Sequence, residues 1–235
     1  MRLLSGTSGY SYKAWKGNFY PSDLPASRML EHYCSKLPAV EVNNTFYRMP
    51  SAKMVQAWTE ASPEPFRFVL KASRRITHHA RLHEVDDLLR YLFDTTLPLG
   101  PRLGAHLFQL PPYAKIDLGR LDAFLQRIPS GQRVALEFRH HSWFADEVFD
   151  LLRRHDAALV IADGGKIEVP FVPTAGWGYL RLRRDNYDDE AMAGWVQRVL
   201  DTGWSEAFVF FKHEDEGAGP RMARQFLDLA TGSQG

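Results

Sequence analysis

The chain has 235 residues and carries 29 basic against 28 acidic side chains, a formal net charge of +1. So balanced a total excludes a global pull toward nucleic acid or an anionic membrane and leaves room only for a local basic patch. A hydrophobic content of 45% excludes a disordered tail, and the single cysteine, Cys34, excludes an intrachain disulfide and a chain-borne iron–sulfur cluster.

The apolar run in "MRLLSGTSGY" is too short for a signal peptide, and the longest apolar stretch, "AALVIA" at 157–162, is far below membrane-spanning length. A cytoplasmic protein that stays out of membranes is the expectation. Strand-like segments and amphipathic stripes then alternate. "RLLSG" at 2–6 is followed by Leu30, Tyr33, Cys34 and Leu37 at helical spacing. "AVEVNN" at 39–44 precedes Ser51, placed to N-cap "AKMVQAW". "FRFVLKA" at 66–72 leads to Val85, Leu88, Leu89 and Leu92, and "LGAHLFQL" at 103–110 to Leu118, Leu121, Leu125 and Ile128. "RVALEFR" at 133–139 leads to Val148, Leu151, Leu152 and His155. "ALVIAD" at 158–163 is the exception: the 164–177 connection has two prolines and no amphipathic pattern, so it is expected to cross as an extended loop. "GYLRLR" at 178–183 precedes Met192, Trp195, Val196 and Val199, and "AFVFFKH" at 207–213 precedes Met222, Phe226 and Leu229.

Eight strand–helix alternations without a linker or a composition break predict one domain over 1–235, an α/β protein with a closed TIM (β/α)8 barrel and one irregular crossover between strands 6 and 7. An open doubly wound sheet is the competitor, but "GTSGYSY" after the first strand is no dinucleotide fingerprint.

In such a barrel the reactive groups come from the C-terminal strand ends. Those ends are polar here. Strand 2 offers Glu41, Asn43 and Thr45 as alternate residues sharing one side of the pleat; strand 3 offers Lys71 and Ser73; strand 4 ends at Gln109. Strand 5 puts Glu137 and Arg139 on one side, Asp163 closes strand 6, Arg181 and Arg183 lie in strand 7, and Lys212 and His213 close strand 8. A purely structural reading stands beside this, in which Glu137 pairs with Lys71 or Arg139 inside the barrel. His140 and His141 are adjacent, so an extended segment sends at most one of them to the rim. Tyr12, Trp15, Phe46, Tyr47 and Trp143 either line a pocket or pack helices.

No HExxH and no Cys/His cluster is present; a metal would need Glu41, Glu137, His140, Asp163 and His213 to converge, and none is assigned. Ser8, Ser73 and Ser142 lack a nucleophile elbow, and Cys34 falls in an apolar stripe. Lys71, Arg74, Arg75 and Arg81, with Arg181, Arg183 and Arg184, would make the mouth electropositive; as a solvated loop, the first group is balanced by Glu84, Asp86 and Asp87.

"GTSGYSY" with "FYP" at 6–21, "VEVNNTFYRMPS" at 40–51, "LKASRRITH" at 70–78, "FQLPP" at 108–112 and "EFRHHSWF" at 137–144 together resemble the YecE-like family, domain of unknown function 72. The resemblance covers nearly the whole chain in order. It implies a TIM barrel, similar to the endonuclease IV and xylose isomerase-like group, and implies no established reaction. By motif it places Gly6, Ser8, Tyr10, Glu41, Asn43, Thr45, Tyr47, Lys71, Gln109, Glu137, Arg139, His140, Trp143 and Asp163 on the family's polar rim. Two positions depart from the family's pattern: Arg183 stands where relatives often have a histidine, and Lys212–His213 where they often have an asparagine pair.

The expected function is binding of a phosphate-bearing or other anionic small ligand, in a metal-independent enzyme. Lys71, Arg139 and Arg181 would hold the anion; Glu41, Glu137 and Lys71 form the catalytic set, a glutamate being the general acid or base. Asn43 and Gln109 would orient the ligand, with Thr45, Tyr47, His140, Trp143 and Asp163 completing its surroundings. One alternative is a metal-dependent phosphodiesterase resembling endonuclease IV and acting on nucleic acid. Another is a non-catalytic sensor of an anion or a nucleic-acid end.

Overall fold

The computed structural model describes residues 1–212 and 216–232. Eight parallel strands, β1 (Arg2–Ser8), β2 (Ala39–Val42), β3 (Arg67–Lys71), β4 (Leu103–Gln109), β5 (Val134–Glu137), β6 (Ala158–Asp163), β7 (Trp177–Leu182) and β8 (Glu206–Phe211), pair in sequence order. β8 returns to β1, with Leu3 opposite Ala207 and Thr7 opposite Phe211, so the barrel is closed. Closure removes both exposed sheet edges. The helices are α1 (Met29–Cys34), α2 (Asn44–Tyr47), α3 (Ala52–Ala61), α4 (Asp86–Thr96), α5 (Leu118–Leu125), α6 (Asp146–Arg154), α7 (Asp189–Leu200) and α8 (Ala218–Gly232). Their starts are fixed locally: Ser51, Asp117 and Asp188 each accept a backbone N–H three residues on.

Alternation divides each strand between two cores. Outward residues such as Phe68, Phe108, Leu136 and Phe211 pack against the helices with Phe124 and Phe226. Inward residues form a second cluster whose bulk is unevenly distributed: Ala39, Ala105, Ala135 and Ala158 leave room for Trp177, Tyr179, Phe208 and Phe210 from β7 and β8. Gly6 serves the same economy of space, since a Cβ there would lie 1.9 Å from the carbonyl oxygen of Ala39. Below this core, at the N-terminal end, Glu206 accepts from Arg2 at 3.2 Å and from Arg133 at 2.6 Å.

The β6–β7 crossover is extended, as its prolines predict. It runs back along the outside of β6 where a helix would otherwise lie. The buried Thr174 hydroxyl secures it there, accepting from Leu159 N at 2.8 Å and donating to Ala157 O at 2.7 Å.

Several strand ends differ from the sequence reading: β5 stops at Glu137, two residues before Arg139, and β7 at Leu182, one before Arg183. β2 stops at Val42 because Asn43 turns into the αR region (φ −92, ψ −20) and starts the one-turn helix α2. Thr45 therefore does not share a strand face with Glu41. β8 ends at Phe211, and His213 lies outside the described residues. Among the described residues, no helix is long and apolar enough to cross a membrane.

Candidate functional site

The inward alternation that fills the middle of the barrel with alanine and aromatic rings continues to its C-terminal end, where the residues become ionic. Arg181, two residues beyond Tyr179 on β7, is only 3% exposed and reaches across the lumen. Its Nη2 donates to Glu41 Oε1 on β2 at 2.7 Å, and its Nη1 donates to Glu137 Oε2 on β5 at 2.5 Å. Each glutamate has further donors. Glu41 accepts from Ser8 Oγ at 2.7 Å, Tyr179 OH at 2.6 Å and Asn43 Nδ2 at 3.1 Å. Glu137 accepts from Gln109 Nε2 at 2.8 Å and from Arg183 Nη2 at 3.0 Å.

Burial pushes the Glu41 carboxyl toward its neutral form, but Arg181, Tyr179 and Ser8 outweigh it and hold the carboxyl below its ordinary range. The Nε atoms of Arg181 and Arg183 are buried without a hydrogen-bond partner among the described residues.

Above this floor opens a cavity of about 430 Å³. Its cations are Lys71, Arg139, Arg181, Arg183 and Lys212; Ser8, Tyr12, Asn43, Asn44, Phe46, Tyr47 and Gln109 complete the lining. Glu41 and Glu137 are almost fully buried beneath it and bonded to Arg181 and Arg183, so they offset two of the five positive charges.

Lys71 ends β3, and its Nζ lies 4.2 Å from the centroid of the Phe46 ring on α2. Burial is the main reason that its pKa falls to about 8; Arg181 and Arg139 add repulsion, which Glu137 and Glu41 partly offset. After β3 the chain makes a π-helical turn, Arg75–His79, that stacks the His78 ring edge-on against Phe46 at 4.9 Å. Burial and the charges of Lys71 and Arg139 lower the pKa of His78 as well.

Of the residues singled out in the sequence, Lys71, Asn43, Tyr47, Gln109, Arg139 and Arg181 line the cavity. Glu41 and Glu137 form its floor. Four others are placed elsewhere, each for a local reason. Thr45 is buried in α2, where its hydroxyl donates to Val42 O at 3.0 Å and Lys71 O at 2.7 Å. His140 caps a 3₁₀ turn over His141–Trp143 and bonds Ser142, and its ring stacks on His141 at 4.4 Å; the two rings do not diverge, because the segment bends instead of staying extended. Trp143 is buried flat against Phe138 at 4.5 Å and donates to Ala114 O. Asp163 pairs with Arg184 at 2.8 Å, beside the β6–β7 crossover.

Tyr10 and Trp15 pack against Tyr33 and Tyr20, respectively. Tyr179 was not anticipated as a site residue; the run Trp177, Tyr179, Arg181, Arg183 at period two was the signal for it. Among the described residues, no three His, Cys, Asp or Glu side chains come together as a metal site, and the oxygens of Glu41 and Glu137 are occupied by Arg181, Tyr179 and Arg183.

The fold and this site define a TIM barrel with a polar, positively charged C-terminal mouth. The sequence matches the family described as Protein of unknown function DUF72 over residues 4–234, and the chain belongs to that family. It is 35% identical over 117 residues to the UPF0759 protein YecE of Escherichia coli K12, covering 49% of this chain and 43% of that relative, so the matched segment spans less than half of its length. The UPF0759 protein YunF of Bacillus subtilis 168 is 25% identical over 218 residues, 85% of this chain and 75% of that one. A crystal structure of a DUF72 family protein from Thermotoga maritima MSB8 superposes with a TM-score of 0.86 at 25% identity, covering 98% of this chain and 100% of that one. One from Enterococcus faecalis V583 has a TM-score of 0.80 at 21% identity, over 98% of each chain, and carries the fold alone.

Proposed function

We propose that the barrel mouth binds a small phosphate- or carboxylate-bearing ligand. The observation that carries this reading is the charge imbalance of the cavity: five cations surround it, and only two carboxylates lie beneath. Gathering so many like charges around an opening raises a positive potential there that an anion relieves. Arg139 and Lys212 are the first contacts for it, since the guanidinium groups of Arg181 and Arg183 are already bonded to Glu137. Glu41 and Glu137 hold those arginines in place; both are buried beneath the cavity with their oxygens engaged by donors, so general acid–base chemistry falls to a group on the cavity wall. Asn43 and Gln109 present amides to the remainder of the ligand.

Thermal unfolding in inorganic phosphate tests the reading. A ligand at a hundred times its Kd adds about 2.7 kcal/mol, so the melting temperature is expected to climb with phosphate concentration. The double variant Arg139→Gln/Lys212→Gln is expected to lose most of that response. An equal rise in variant and parent, or no rise in either, would sink the proposal.

A further inference from the structure

Three of the other cavity cations are guanidinium groups, which stay charged at any accessible pH and cannot act as nucleophiles. Lys71 is an amine, and its setting is unlike that of a lysine that only binds anions. Among the described residues no carboxylate lies within 4.0 Å of it, because the two nearby acids, Glu41 from β2 and Glu137 from β5, are bonded to Arg181 from β7. Phe46 from α2 covers the nitrogen at 4.2 Å, and the other titratable or charged groups acting on it are Arg139 after β5 and His78 on the π-helical turn. An amine partly buried in a cavity and crowded by cations is a recurrent way to free a lysine lone pair near neutral pH.

We propose that Lys71 forms an imine with the carbonyl carbon of a small anionic aldehyde or ketone whose charged group rests on Arg139 and Lys212. The inference rests on the anion reading of the same cavity. The neutral amine attacks the carbonyl carbon; a C–N bond forms, the π pair moves to oxygen, and a proton passes from nitrogen to that oxygen to give a carbinolamine. A second proton, from solvent in the open cavity, lets the hydroxyl leave as water. The products are one protonated imine and one water, with no change in oxidation state. The protonated imine keeps a positive charge where the ammonium had been, so the cavity does not lose a cation on reaction.

Reductive trapping tests this. The protein is incubated with pyruvate or with glycolaldehyde phosphate in the presence of borohydride, and adducts are mapped by peptide mass spectrometry. Each trapped adduct adds the mass of the probe less one oxygen. The expected result is modification of Lys71 in preference to surface lysines by on the order of tenfold or more, rising from pH 7 to 9 around a midpoint near 8. The two probes show whether a carboxylate or a phosphate is the anchor. Inorganic phosphate is expected to compete, and Lys71→Arg and Lys71→Met to lose the adduct.

Melting in phosphate, run alongside, separates the two readings. A phosphate response with no Lys71 adduct from either probe overturns the imine and leaves the anion site standing. Adducts spread evenly over surface lysines overturn it equally. Neither a phosphate response nor an adduct removes both.

Discussion

At the scale of single residues, Lys71 has a price in stability that can be measured. Its pKa is lowered in the fold, to about 8 from an ordinary value of 10.5, so the unfolded chain binds more protons between those limits and stability rises with pH across that window. Below about pH 8 the charged amine destabilises the fold in full. Lys71→Met removes that cost. The variant is expected to be more stable than the parent by about 1–3 kcal/mol at pH 7, with the gain fading as pH approaches about 10.5. Urea unfolding at several pH values measures it; a variant no more stable than the parent at pH 7 would return Lys71 to a structural role. His106 is a different kind of buried base: burial alone takes its pKa to about 3, beside the Thr96 hydroxyl and the Phe93 ring. The candidate residues were legible where alternation holds, as for Arg181, two beyond Tyr179 on β7, and Arg139 and Arg183, just past the ends of β5 and β7, still reach the cavity. What could not be read was partnership, since nothing local to Arg181 says that it spans the lumen to two acids.

At the scale of elements, Arg181 ties β7 to β2 and β5 through the interior instead of through the sheet. Arg181→Met would leave buried Glu41 without a cation and Glu137 with Arg183 alone, and breaking such a buried network typically costs about 3–5 kcal/mol. The sign of its pH dependence is also defined. The depressed carboxyl of Glu41 stabilises the parent above the ordinary carboxylate range, and that contribution is lost as pH falls through its lowered folded value. In the variant Glu41 loses its countercharge and its pKa moves up, so the stability gap between variant and parent is expected to narrow from pH 7 to pH 4.5. A gap that is small at pH 7 or constant with pH would count against the bridge. Strands and long helices were readable from apolar runs and stripes, and the β6–β7 crossover from its prolines. α2 was not, because four residues are too few to show a period, and the bend after Glu137 hid in residues that an extended chain could also have used.

For the whole molecule, a net charge of +1 conceals segregation. Both ends of the lumen are basic and its middle is apolar. At the N-terminal end Glu206 is the counterion for Arg2 and Arg133, and burial, followed by the charges of both arginines, lowers the pKa of neighbouring Arg67. Glu206→Gln would leave three guanidinium groups facing one another where β8 meets β1. The expected loss is about 1–2 kcal/mol at low salt, shrinking in 1 M sodium chloride, where screening acts over about 3 Å. Calorimetric melting in both salts measures it, and a loss independent of salt would point to packing instead of repulsion. The barrel itself was legible from the count of alternations, whereas this charge layout depends on closure bringing residues 2, 133 and 206 together.

Thr45 stands outside the cavity, yet its hydroxyl joins the carbonyls of Val42 and Lys71. The next residue, Phe46, is the ring that lies over the lysine amine. Amine and shield are thus registered to each other through one side chain of a four-residue helix. A lysine placed alone at the end of a strand in some other barrel would inherit the position without the ring that covers it, because that placement belongs to the pair and to the hydroxyl that aligns it.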